Sequence, residues 1–155
     1  MNPLLSPFNT PFETAPFSKI KNEHFEPAIL NAINNAKDEI QELTDSKEIP
    51  NFKNTIEALE FSGMHLKRVS SVFFNLNSAE TNDEIQKIAQ NISPLLTEFA
   101  NDIRLNIDLF ERVKSVYQKK DSLNLTPEQD TLISNQYKMF VRNGANLNND
   151  QQEEL

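Results

Sequence analysis

The chain has 155 residues, no cysteine and a formal net charge of −8. That length suits one domain with a sizeable core, and the missing thiols exclude a disulfide framework and a thiolate metal site. The acidic balance argues against a nucleic-acid partner, which needs a basic stripe to displace counterions from phosphates.

Residues 1–21 hold four of the eight prolines and three of the eleven phenylalanines. Proline at that density prevents a helix, while Phe8, Phe12, Phe17 and Ile20 are too apolar for a free tail. An extended arm is expected, its rings pinned in grooves between helices. The first helix runs over residues 23–44, with Phe25, Ile29, Ala32, Ile33, Ala36, Ile40 and Leu43 on one stripe. Pro27 falls in its first turn, where a missing amide costs little.

The stretch 54–82 reads as one central helix to about Asn77, capped by Asn54 or Thr55, and then a short polar link. Ile56, Leu59, Leu66 and Phe73 recur at helical spacing with Gly63 and Ser70 between them, while Phe61 and Val72 point almost opposite. A helix with two apolar sides is usually sandwiched between neighbours. Its second side therefore meets either another helix of this domain or a surface that further chain would cover.

A third helix follows through Ile85, Ile88, Ile92, Leu95, Leu96, Phe99 and Ile103, started by Thr81 and Glu84 at capping-box spacing or by Asn82. The stripe keeps its phase across Pro94, so a kink and not a break is expected. Asn106 caps a fourth helix over residues 107–119, in which Asp108 and Arg112 are placed to pair. Thr126-Pro127-Glu128-Gln129 supplies cap, proline and box glutamine for a fifth. That helix ends near Asn143, with Gly144 placed for a left-handed cap. Residues 148–155 look like the start of a helix cut short.

With two glycines and no alternating segment, no strand is assigned. The expected fold is all-α: about five mostly antiparallel helices in residues 22–147, with the Pro/Phe-rich arm at 1–21 packed on them. No apolar run reaches the roughly 18 residues that would span a bilayer. The first residues lack the basic cluster and apolar stretch of a signal peptide. Cytoplasmic residence is expected; periplasm or export is the alternative if a signal peptide was removed.

Catalytic chemistry is hard to assemble. His24 and His65 have no partner one helical turn away, and a His-Glu-x-x-His helix is absent. There is no glycine-rich phosphate loop, no flanked serine nucleophile and no calcium loop. Glu57 and Glu60 read as a solvated face. Arg68 and Arg142 are candidates for holding a carboxylate, although pairing with a nearby Asp or Glu is the plainer expectation. No catalytic, cofactor-binding or metal-ligating residue is assigned.

The strings KIKNEHFEPAI, NTIEALEFSG, RVSSVFFNLNSAETNDEIQ, ISPLLTEF, LNIDLFERVKSVY and YKMFVRNGANL carry a resemblance. Taken in order, from about Pro3 to Leu147, they resemble the amino-terminal region of bacterial peptidyl-dipeptidases, in the thimet oligopeptidase family of zinc metallopeptidases. The resemblance implies a longer, largely helical parent whose deep channel admits short peptides. It also implies zinc held by a His-Glu-x-x-His helix and a downstream Glu, none of which maps onto this sequence. Under it, the chain is a non-catalytic wall or lid of the channel, inactive and without zinc when alone. Its partners are then the catalytic remainder of its own polypeptide and, through the parent, oligopeptides that lose C-terminal dipeptides. The competing expectation is a stand-alone acidic adaptor that binds partner helices.

Overall fold

A computed structural model describes residues 1–144; the helix start expected at 148–155 lies outside them. The described residues are helical without a strand, as their 3.6-residue periodicity demands. Six α-helical segments occur: α1 (Phe25–Asp45), the single turn α2 (Ala58–Phe61), α3 (Met64–Ala79), α4 (Asp83–Arg104), α5 (Ile107–Tyr117) and α6 (Pro127–Arg142). The chain divides into two compact units. One comprises Met1–Asp38 and Gly63–Phe99; the other comprises Glu39–Ser62 and the chain from Ala100.

In the first unit, the stripe Phe25, Ala28, Ile29, Ala32, Ile33 and Ala36 of α1 is buried, together with Leu66, Val69 and Phe73 of α3 and Ile85, Ile88 and Ile92 of α4. Phe25 meets Phe73 edge-on at 5.1 Å between centroids, the geometry favoured by the ring quadrupoles. Asn82 is the cap of α4, accepting from the Ile85 amide at 2.9 Å. The helix runs unbroken through Pro94. The hydroxyls of Ser93 and Thr97 donate to the carbonyls of Ala89 and Ser93 beside it.

The amino-terminal residues form three short 3-10 turns, at Pro3–Leu5, Pro11–Glu13 and Phe17–Lys19. Their anchors differ from those expected. Leu4 and Phe8 are buried, but Phe12 is 98% exposed and Phe17 53%. A run of prolines fixes the backbone without steering every ring inward, and Phe12 sits on a left-handed residue with φ 58° that turns it outward.

The second unit packs Ile40 and Leu43 of α1, Ile56, Leu109, Phe110, Val113 and Val116 of α5, and Ile133 and Phe140 of α6 into one core. Tyr117 and Tyr137 stack at 4.0 Å and 4° beside it. Asn106 caps α5 by accepting from the Leu109 amide. The expected box opens α6: Thr126 accepts from the Gln129 amide at 3.3 Å, and Gln129 accepts from the Thr126 amide at 3.0 Å. Gly144 has φ 85°, as its place after the helix requires.

The central stretch is not one helix. Asn51, not Asn54 or Thr55, is the cap: the Asn51 and Asn54 side chains accept each other's backbone amides. A π-helical turn over Phe52–Glu57 leads into α2. The chain then breaks, because Ser62 is extended at ψ 145° and Gly63 is left-handed at φ 66°. The Ser62 hydroxyl donates to the Leu59 carbonyl at 2.7 Å and closes the helix end. Periodicity alone missed this, since Gly63 falls in phase with the seam on either side. Phe61 and Val72 therefore belong to different segments; Phe61 is 63% exposed, and Val72 is half-buried.

Candidate functional site

The polar residues singled out from the sequence are mostly engaged in holding backbone. In the first unit, the His65 Nε2 lies 2.8 Å from the Leu4 carbonyl. Arg68 Nη2 donates to the Ser6 carbonyl at 3.2 Å, and its guanidinium carbon stands 4.7 Å from the centre of the Phe8 ring. Asn2 accepts from the Leu4 amide and donates to the His24 carbonyl at 2.7 Å. The Lys21 amide donates to His24 Nδ1 at 3.1 Å. Among the described residues Arg68 thus has no carboxylate partner, contrary to expectation. It fastens the amino-terminal segment through a carbonyl and a ring face.

These contacts also test the two histidines as zinc ligands. One bonded ring nitrogen leaves the other available to a metal, so the question rests on neighbours: among the described residues no three His, Cys, Asp or Glu side chains converge to hold one. A tetrahedral zinc site needs three or four such donors. The described residues do not supply such a set.

In the second unit, Arg112 is buried rather than paired with Asp108. Its Nη1 donates to the Ser46 carbonyl at 2.9 Å and the Glu48 carbonyl at 3.4 Å, tying α5 to the loop after α1. Gln136, also buried, donates to the Ile56 carbonyl at 3.1 Å and reaches Glu60 at 3.5 Å. Glu60 is therefore not purely a solvated side chain.

Two hollows open on this unit. One, of ≈ 400 Å³, is lined by Leu43, Ala58, Phe61 and Ser62 beneath Glu39 and Glu42. The other, of ≈ 590 Å³, is lined by Arg104, Asn135, Lys138, Met139, Arg142 and Asn143. Arg142, expected to pair with an acid, has no ion pair with a described residue. Arg104 and Lys138 escaped the sequence reading. The four-residue step from Lys138 to Arg142 was visible, but nothing local signals that the end of α4 joins them.

Two groups of this unit titrate away from their ordinary values. The Lys120 ammonium donates to Asp130 at 2.7 Å; that hydrogen bond, against some desolvation, holds its pKa above the lysine range. Glu128, in the first turn of α6, is held below the ordinary glutamate value, first by its own backbone amide and then by the Thr126 hydroxyl.

These features define an all-α segment whose singled-out polar side chains mostly hold backbone. No family model matches the chain. It is similar to dipeptidyl carboxypeptidase of Escherichia coli, 42% identical over 147 residues, which is 95% of this chain and 22% of that protein. The Salmonella typhimurium dipeptidyl carboxypeptidase is 40% identical over 146 residues, 94% of this chain and 22% of the relative. Oligopeptidase A of Escherichia coli is 26% identical over 152 residues, 98% of this chain and again 22% of the relative. The resemblance read from the sequence is borne out, and the chain spans about a fifth of the length of the curated relatives it matches.

Proposed function

We propose that this chain is the helical amino-terminal domain of a zinc peptidyl-dipeptidase, serving as a wall or lid of its substrate channel. The observation that carries the reading is 42% identity over 95% of the chain to a dipeptidyl carboxypeptidase. Oligopeptidase A, a second kind of peptidase, aligns over an equal share of its length.

In this reading the chemistry resides in further polypeptide, which supplies the zinc and its activated water. The helical domain limits entry to short, unfolded peptides. One property agrees with a non-catalytic part: both histidines hold the amino-terminal segment, His24 through the Lys21 amide and His65 through the Leu4 carbonyl. No helix among the described residues is long and apolar enough to cross a membrane.

The test compares the 155-residue chain with the product of its complete reading frame, using a peptide blocked at its amino terminus. The longer product should release C-terminal dipeptides and contain zinc, and the chain alone should do neither. A stop codon directly after Leu155 would favour the adaptor reading instead. Hydrolysis by the isolated chain would overturn the non-catalytic assignment.

A further inference from the structure

The basic hollow on the second unit carries an inference that does not depend on the peptidase reading. Acidic residues outnumber basic ones by 23 to 15 in this chain, so a cation has many carboxylates to choose from. Lys114 pairs with Glu111, and Lys120 with Asp121 and Asp130. Arg104, Lys138 and Arg142 line one concavity, and none of their side chains forms an ion pair with a described residue.

Position on a helix accounts for part of this. Arg104 and Arg142 are the last residues of α4 and α6, where a cation is favoured by the macrodipole. The partial negative charge of a helix end is smaller than a full guanidinium charge, so the hollow remains positive. Lys138 lies a full turn earlier and gains little from it. Grouping three like charges is unfavourable unless an anion is shared between them.

The surroundings select the kind of anion. Helix C-termini present carbonyls, not the N–H groups that cradle phosphate. The Asn143 amide is spent on the Met139 carbonyl at 2.7 Å. What is left is two guanidinium forks, suited to planar carboxylates, with part of Met139 in the same lining. A volume of ≈ 590 Å³ falls in the range of small-ligand sites. We propose that this hollow docks an acidic peptide segment, its side-chain carboxylates held by Arg104 and Arg142 with Lys138 as the third charge.

The experiment titrates a labelled hexaglutamate peptide, acetylated and amidated at its ends, into the full chain at low ionic strength. Saturable binding that weakens with salt is expected, and Arg142→Gln or Lys138→Gln should each weaken it by about tenfold, the effect of one charge-assisted bond. Lys119→Gln, outside the hollow, should leave it unchanged. Circular dichroism verifies that each variant is folded. No saturable binding, equal affinity in the hollow variants, or equal loss with Lys119→Gln would overturn the proposal. So would inorganic phosphate displacing the peptide at equal concentration, which would mark a general anion site.

Discussion

Arg68 covers the face of Phe8 at 4.7 Å while its Nη2 holds the carbonyl of Ser6. One side chain thus secures both a buried ring and the backbone beside it. With Leu4 fully buried, its carbonyl against His65, and Asn2 donating to the His24 carbonyl, the first eight residues are fastened along their length, whereas Phe12 is left in solvent. Phe8→Ala should cost about 3 kcal/mol, the usual loss for a buried ring. Arg68→Ala should cost about 1 kcal/mol, from the lost bond and cation–π contact. Phe12→Ala should be neutral within about 0.5 kcal/mol. Chemical denaturation gives the three values, and their order is the test.

Gly63 ends one helical segment and begins the next with φ 66°. A Cβ there would stand 3.6 Å from the Ala36 Cβ, an ordinary contact, so backbone strain and not crowding sets the cost. Gly63→Ala should destabilise by about 1 to 2 kcal/mol. Gly63→Asn should cost less, because asparagine tolerates the left-handed region. Equal stability of the alanine variant and the natural chain would mean that the helices can fuse.

Buried Arg112 gives a third expectation. Its bonds to the Ser46 and Glu48 carbonyls leave those carbonyls without a charged donor in Arg112→Met, at a cost of about 2 kcal/mol. Arg112→Lys should recover only part, since both bonds come from the single Nη1 at the far end of the guanidinium and the lysine ammonium sits on a shorter side chain. Equal stability of Arg112→Lys and the natural chain would show that charge alone suffices.

Glu128 links the α6 cap to acid stability. Its folded-state pKa lies below the ordinary glutamate value, so the folded state binds a proton there less readily than the unfolded chain. Its contribution is full above the ordinary glutamate range and disappears as pH falls through the depressed value. Glu128→Gln should therefore flatten the acid limb of stability while changing the alkaline limb little. Lys120 has the opposite sign: its raised pKa, due first to Asp130, gives a contribution present at neutral pH and lost as pH rises through that value. Lys120→Met should flatten the alkaline limb. Denaturation midpoints measured across pH for both variants check the assignment.

Helix identity was legible because local signals coincided. Thr126, Pro127 and Gln129 act within four consecutive residues, and the α1 stripe repeats along a single face. The break at Ser62–Gly63 was hidden, because a glycine on a helical seam looks like a small packing residue until its φ is known. The fastening of Leu4 by His65 and of Ser6 by Arg68 spans about sixty residues, a separation at which no spacing rule operates. The basic hollow was half visible, through Lys138 and Arg142 on one face of α6; Arg104 enters only by tertiary packing.

The central claim is that this chain is a non-catalytic part of a longer peptidase. Its most direct test is C-terminal dipeptide release from a blocked oligopeptide, measured for the complete reading-frame product and for the 155-residue chain side by side. Dipeptide release and zinc content confined to the longer product are predicted. Release by the short chain, or a complete product that neither binds zinc nor cleaves the peptide, would contradict the account.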